Sequence, residues 1–315
     1  MSYTQITSDE RYMISTYHLQ GWSDSDIALE LRRHRSTIGR EIKRNKCCDG
    51  AYRPSKADRR TRARRSESRK HWYFQDSQLQ IVASLLRLDW SPEQVSGWLR
   101  VNRIFLISHT TIYRYVWYDR YFGGQLHTHL RQAGKKRKRY RADDSRGVLP
   151  GKRHISQRPL SADSRSRFGH WEIDTVAGAN DRHCIVTLVE RRSRFIRIGK
   201  LSARTTAQLN RRVISIINSE PRTVRSITAD NGTEFHAYKL IEAQTHSLFF
   251  FANPYHSYER GLNENSNGLV RQYLPKRHSM ANLAQPQCDA IAQKLNRRPR
   301  KSLAFKTPEQ CYATV

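Results

Sequence analysis

Apolar positions in the first third of the chain recur at helical spacing and are punctuated by capping signals. Thr7-x-x-Glu10 is a capping-box pattern that opens a helical run through Tyr17, stopping at Gly21. Ser23-x-x-Asp26 caps a second, short helix with Ile27, Ala28 and Leu31 on one face. After a turn at Arg33 and His34, Ser36 is placed to cap a third helix. There Ile38 and Ile42 face inward, and Thr37, Arg40, Glu41, Lys43 and Arg44 face outward. Further on, Ser91-Pro92-Glu93-Gln94 joins a cap residue, a proline at the first helical position and a closing polar residue. Val95, Trp98 and Leu99 make the apolar stripe of that helix. A further helix from about Ser108 turns Ile112 and Val116 inward and Thr110, Thr111 and Arg114 outward.

From His170 the pattern changes to strands: WEIDTVA at 171–177, HCIVTLVE at 183–190 and RFIRIGKL at 194–201. The turns between them contain Gly178, Asn180 and Asp181, or run from Arg191 to Ser193. Three short, closely spaced strands read as an antiparallel meander. A helix follows with Leu209, Val213, Ile216 and Ile217 on one stripe and Arg211 and Arg212 on the other. Next come a strand near Val224 to Thr228, a turn at Asp230-Asn231-Gly232 and a helix to about His246. The apolar LFFFA at 248–252 and helices from Leu262 onward complete the chain. This order of elements is that of the ribonuclease-H-like fold. The expected class is therefore α+β and multidomain, with helix-turn-helix helical domains followed by a ribonuclease-H-like α/β/α catalytic core. The boundaries read as a helix-turn-helix domain at 1–65, a second helical domain at 66–130, a basic linker at 131–165 and the catalytic domain at 166–315.

Composition changes the picture at one point above all. The 315 residues include 57 Lys and Arg against 28 Asp and Glu, a formal charge of +29. Such an excess points to a polyanionic partner, with nucleic acid the first candidate. A basic membrane-surface protein would share the balance but would also need an apolar anchor, and the apolar stretches are short. The N-terminus lacks the features of a secretory signal, so a cytoplasmic protein is expected, associated with the nucleoid when bound to DNA. Five cysteines, at 47, 48, 184, 288 and 311, have no C-x-x-C spacing and support neither a disulfide framework nor a zinc site. Cys184 reads as a small core residue within a strand.

Charge also gives the N-terminal helices a role. The third helix would serve as a recognition helix, offering Ser36, Thr37, Arg40, Lys43 and Arg44 to a DNA major groove. A small helical bundle with a solvated basic face is the alternative. Thr110, Thr111 and Arg114 suggest a second helix-turn-helix, and packing helices with incidental hydroxyls would give the same pattern. The runs RRTRARR at 59–65 and KKRKR at 135–139 usually mark solvated linkers. Beside candidate DNA-binding units they are expected to contact phosphate without regard to sequence, with steep salt dependence.

Three carboxylates fall at telling places in the strand-rich region. Asp174 lies mid-strand, on the face opposite Trp171 and Ile173. Asp230 ends the fourth strand before a Gly-containing turn, and Glu264 lies in the first turn of a later helix. Crowded carboxylates repel one another, and a divalent cation with hard oxygen ligands, such as Mg²⁺, resolves the repulsion. Each residue alone has an ordinary reading as an edge residue, a turn or a complement to a helix dipole. Their contexts are more specific: GHWEIDTVAG, ITADNGTEF and NPYHSYERGLNENSNGLVRQYLPK. Asn267 and Arg271 follow Glu264 at helical spacing; Arg271 is a candidate phosphate contact, as are Arg260 and Lys276. Glu172 shares the sheet face of Asp174 and reads either as an outer ligand or as a solvated strand residue.

At these motifs the sequence resembles the insertion sequence thirty family of DDE transposases, from STIGREIKRN near the N-terminus to the closing TPEQ. The 33 residues between Asp230 and Glu264 agree with the spacing of that family, and Gly39 departs from its usual pattern. The resemblance implies metal ligation by Asp174, Asp230 and Glu264, with Mg²⁺ as cofactor and Mn²⁺ able to substitute. It implies double-stranded DNA as partner, both the terminal inverted repeats of an insertion sequence and a target, and a homodimer or higher homo-oligomer on DNA. Two metal ions roughly 3.5–4 Å apart would activate water or a DNA 3′-hydroxyl for in-line phosphoryl transfer, and a circular intermediate would precede insertion. A non-catalytic helix-turn-helix regulator derived from a transposase is the rival reading.

Overall fold

A computed structural model describes residues 5–68, 74–131, 151–179, 182–253 and 261–313. The chain divides into two compact units between Leu79 and Gln80.

The first unit holds helices α1 (Ser8–Leu19), α2 (Asp24–Glu30), α3 (Arg35–Asn45) and α4 (Pro54–Ser68). Both expected capping boxes form, Thr7 with Glu10 and Ser23 with Asp26. Ile14, Ile27, Ala28, Ile38, Ile42 and Ala57 build a shared core. Inside it lies Arg11, whose guanidinium reaches Glu41 at 2.7 Å and Asp58 at 3.1 Å. Glu41 is thus turned inward, contrary to expectation, because it answers this buried cation and accepts from the Tyr52 hydroxyl. The cap of α3 also differs from expectation. His34, in extended backbone, accepts the Ser36 N–H on its Nδ1 at 3.2 Å, so Ser36 itself is a first-turn residue. At Gly39 a Cβ would meet the Asp24 carboxylate at 3.0 Å, so the glycine serves the packing of α2 on α3. The run Arg59 to Arg65 is no linker: it lies in α4. Arg60 and Arg64, one turn apart, donate to the Asn45 carbonyl and the Asn45 side chain.

Helix α5 (Asp76–Arg87) spans the boundary, and α6 (Pro92–Val101), α7 (His109–Tyr121) and the short α8 (Leu160–Asp163) precede the sheet. Ser91 and Gln94 close the capping box of α6. Ser108 caps α7 and also holds the Thr110 and Thr111 hydroxyls, at 2.7 and 2.8 Å. At Gly97 a Cβ would fall 2.0 Å from the Phe305 ring, a contact that seats α6 against the C-terminal segment.

The sheet contains β1 (His170–Ala177), β2 (Cys184–Glu190), β3 (Ile196–Leu201), β4 (Ser226–Ala229) and β5 (Leu248–Phe251), in the order β3-β2-β1-β4-β5. The first three form the expected antiparallel meander, and β4 and β5 add in parallel to β1. Helices α9 (Thr206–Asn218) and α10 (Tyr238–Thr245) lie between β3 and β5 in sequence; α11 (Gly261–Val270), α12 (Gln285–Asn296) and α13 (Pro308–Ala313) follow the sheet. Alternation along β1 sorts its two faces. Trp171 and Ile173 join Leu209, Val213 and Ile241 of α9 and α10, whereas Val176 joins Leu262, Val270 and Cys288 of α11 and α12. The result is a ribonuclease-H-like α/β/α core. Among the described residues no helix is long and apolar enough to cross a membrane. Cys184 is buried in β2 and unbridged.

Candidate active site

The face of β1 beneath α11 carries Glu172 and Asp174. Glu172, 1% exposed, forms an ion pair with Arg191 and accepts the Asn263 N–H at 3.1 Å. It is neither a spare ligand nor solvated: it answers an N–H of the first turn of α11, which has no intrahelical acceptor, and so anchors that helix end. One helical turn on, the Asn267 side-chain amide donates to Asp174 Oδ2 at 2.8 Å, and its Oδ1 accepts from the Thr187 hydroxyl at 2.9 Å. Thr187 stands directly opposite Asp174 in the β1–β2 ladder. Two bonded points therefore fix α11 over the sheet. Glu264 lies between them, one turn before Asn267, with its side chain exposed.

Asp230 follows the last residue of β4. The parallel register pairs His170 with Ser226 and Glu172 with Thr228, so two residues further on Asp174 and Asp230 fall level on neighbouring strands. Strands so paired lie about 4.8 Å apart. The Gly232 N–H donates to Asp230 Oδ1 at 3.0 Å, a turn in which the carboxylate replaces a backbone acceptor. A Cβ on Gly232 would lie 2.5 Å from the Glu234 carboxylate, which explains the glycine. Asn231 donates to the Ala252 carbonyl and accepts from Lys152 Nζ at 3.1 Å. Burial holds the Lys152 ammonium below its usual range, against the opposing pull of Asp230.

Glu234 braces this loop from below, accepting from the Thr175 hydroxyl at 2.7 Å and from Arg204 Nε at 3.0 Å. Its role had no separate signal in ITADNGTEF, because a buried glutamate in a turn reads like a solvated one. Lys152 was hidden within a basic connector. The Asn267 contact was foreshadowed only by its spacing from Glu264.

Hard carboxylate oxygens at Asp174 and Asp230, level on adjacent strands, suit a divalent cation. The structure does not bring Glu264 to them: among the described residues no three His, Cys, Asp or Glu side chains form a group able to hold a metal ion. Arg271 donates to the Ala177 carbonyl at 2.8 Å, and burial lowers its pKa. Lys276 is exposed, whereas Arg260 and the run 135–139 lie outside the described residues. In the first unit Ser36, Arg40, Lys43 and Arg44 are exposed and Thr37 is half-buried. Thr37, Arg40, Arg44, Arg64 and Arg65 line a cavity of about 420 Å³ there. Thr110 and Arg114 are exposed on α7, and Thr111 is half-buried.

A helix-turn-helix unit and a ribonuclease-H-like core in one basic chain define a DNA-binding polynucleotidyl transferase of the DDE class. Residues 2–45 match the family described as a helix-turn-helix domain. The transposase for insertion sequence element IS4351 of Bacteroides fragilis is 36% identical over 314 residues, 98% of this chain and 96% of that one. Transposase InsI for element IS30A of Escherichia coli is 36% identical over 323 residues, 97% of this chain and 82% of that one. The transposase for element IS1086 of Cupriavidus metallidurans is 34% identical over 325 residues, 99% of this chain and 95% of that one. The catalytic core domain of BIV integrase has a TM-score of 0.35 at 20% identity, covering 46% of this chain and 93% of that chain, a likeness too slight to carry weight. This chain belongs to the IS30 family of transposases.

Proposed function

We propose that this transposase binds the terminal inverted repeats of its own insertion sequence and catalyses metal-dependent strand cleavage and strand transfer at Asp174, Asp230 and Glu264. The observation that carries the reading is the tether of α11: with Asn267 bonded to Asp174, Glu264 is held one turn away on the helix that covers that carboxylate. Asp174 and Asp230 would hold Mg²⁺, with Mn²⁺ as a substitute, and Glu264 would close over it when DNA is engaged. A bound divalent ion lowers the cost of deprotonating the attacking oxygen and of charge on the leaving oxygen. Water attacks a phosphodiester at the element end, and the bond to the 3′ oxygen breaks to leave a 3′-hydroxyl and a 5′-phosphate. That 3′-hydroxyl then attacks a second phosphodiester, forming a new linkage and releasing another 3′-hydroxyl; joining the two element ends first would give a circular intermediate.

The labour divides along the four segments read from the sequence. Residues 1–65 read the repeats through Ser36, Thr37, Arg40, Lys43 and Arg44, and 66–130 add contacts from Thr110, Thr111 and Arg114. The linker at 131–165 carries further positive charge, and 166–315 do the chemistry, aided by phosphate contacts from Arg260, Arg271 and Lys276. Two ends must meet, so at least two protomers assemble on the DNA. The site of action is the cytoplasm, at the nucleoid. The test is cleavage of a labelled duplex carrying the element end, in Mg²⁺ or EDTA, comparing the native chain with Glu264→Gln. Metal-dependent release of a 3′-hydroxyl, lost in the variant, is expected. Equal cutting by both proteins would remove Glu264 from the site, and binding without any cut would return the protein to the regulator reading.

A further inference from the structure

The second unit contains a cavity of about 470 Å³ whose walls carry more positive charge than they can balance. Arg131, Arg194, Arg298 and Arg300 line it, together with Asp89. Lys301 also borders it but is neutralised by Glu93 at 2.7 Å. Asp89 is already shared: His129 lies at 2.8 Å and the Tyr273 hydroxyl at 2.9 Å, so Arg298 reaches it only at 3.8 Å. Arg298 is 2% exposed, and Arg300, half-buried, lines the same cavity. Their terminal nitrogens donate to Gln272, Tyr273 and the Leu295 carbonyl, but the Nε atoms of both are buried with no hydrogen-bond partner. Burial, reinforced by the neighbouring charges of Arg298, Arg194 and Arg131, lowers the Arg300 pKa to about 9. Desolvated like charges with unanswered donors are unfavourable unless an anion enters to meet them.

The position of the cavity connects it to the catalytic helix. Asn265 and Leu269 of α11, with Gln272 just beyond its end, form one wall, while Asn267 of the same helix is bonded to Asp174 of β1. At Gly268 a Cβ would fall 2.2 Å from a terminal nitrogen of Arg131, so the glycine is what lets this guanidinium lie against α11. Planar guanidiniums with several N–H groups match the oxygens of a phosphate in pairs.

We infer that this arginine pocket holds one backbone phosphate of the DNA strand engaged by the catalytic face, clamping that strand against α11. The inference rests on the catalytic reading above for the identity of the strand, and phosphate chemistry could also come from a free anion. The experiment therefore has two arms, run on the full chain and on Arg131→Gln, with Arg194→Gln as a second variant, because loss of the buried Arg298 would endanger folding.

In the first arm, terminal-repeat duplexes carry a neutral methylphosphonate at single positions. The expected result is one position near the cut at which neutralisation weakens the native protein about tenfold and leaves Arg131→Gln unchanged. The slope of log Kobs against log salt should also fall by about one in the variant. In the second arm, inorganic phosphate alone is titrated while thermal unfolding is followed. The same sensitive positions and the same slope in all three proteins would overturn the inference. So would stabilisation by inorganic phosphate, lost in Arg131→Gln, without any duplex position that distinguishes the proteins, since that would make the pocket a free-anion site. A native protein that shows the expected position but cuts no DNA would count against the catalytic assignment alone.

Discussion

Asn267→Ala tests the link between the packing of α11 and the chemistry assigned to Glu264. The substitution removes an amide that bonds to the Asp174 carboxylate at 2.8 Å and accepts from Thr187 at 2.9 Å. A hydrogen bond to a charged group contributes about 1.5–3 kcal/mol and a neutral one about 0.5–1.5. Asp174 is half-buried, so water recovers part of the first. Thr187 is fully buried and keeps only a 3.4 Å contact to the Asp174 carbonyl, so most of the second is lost. The expected loss of stability is about 2 kcal/mol, read as a lower urea midpoint for the second unit. The tether at Glu172 remains, so α11 stays folded but is held at one point instead of two. Displacing a catalytic group by about 1 Å can reduce rate about 100-fold, so strand cleavage should fall by that order while terminal-repeat binding is retained. A variant with native stability and native cleavage would refute the idea that this contact positions Glu264.

Two further outcomes follow from buried charges. His170 is buried between the Ser161 and Ser226 hydroxyls, and burial, aided by Arg225, Arg158 and Arg191, holds its pKa below the ordinary 6.5. The unfolded chain then binds the proton more readily, so His170 favours the folded state fully above about pH 6.5 and loses that contribution as the pH falls toward its folded value. Urea midpoints of the native protein should drop across that acidic window, and His170→Gln should flatten the drop; an unchanged profile would exclude His170 as its source. In the first unit, Arg11→Met leaves Glu41 and Asp58 without their shared cation. It should destabilise that unit by about 3 kcal/mol, the lower end for breaking a buried pair because Asp58 keeps some water. Unaltered melting together with unaltered repeat binding would contradict this.

Local order was largely legible in the sequence because the forces that make it act over a few residues. Thr7, Ser23 and Ser91 cap helices where their spacing predicted, since the acceptor and the N–H it satisfies lie within one turn. Alternation along β1 likewise placed Asp174 on the face opposite Trp171 and Ile173. The same sequence determined the charge that demands a polyanion, and the order of strands and helices that makes a ribonuclease-H-like core. Only tertiary structure decided what each buried polar group answers. Glu41 reads as a surface carboxylate, and Glu172 as an outer ligand or a solvated strand residue, until the arginines from distant positions, Arg11 and Arg191, arrive beside them. The run Arg59 to Arg65 reads only as charge for phosphate, and the structure shows two of its residues donating to Asn45 of α3. Arg298 and Arg300 carry no local signal, and only folding gathers them with α11, Asp89 and Arg131 round one cavity. Partners that lie tens to hundreds of residues apart leave no periodic trace, so the chain's pairing of charges became visible only where folding brought them into contact.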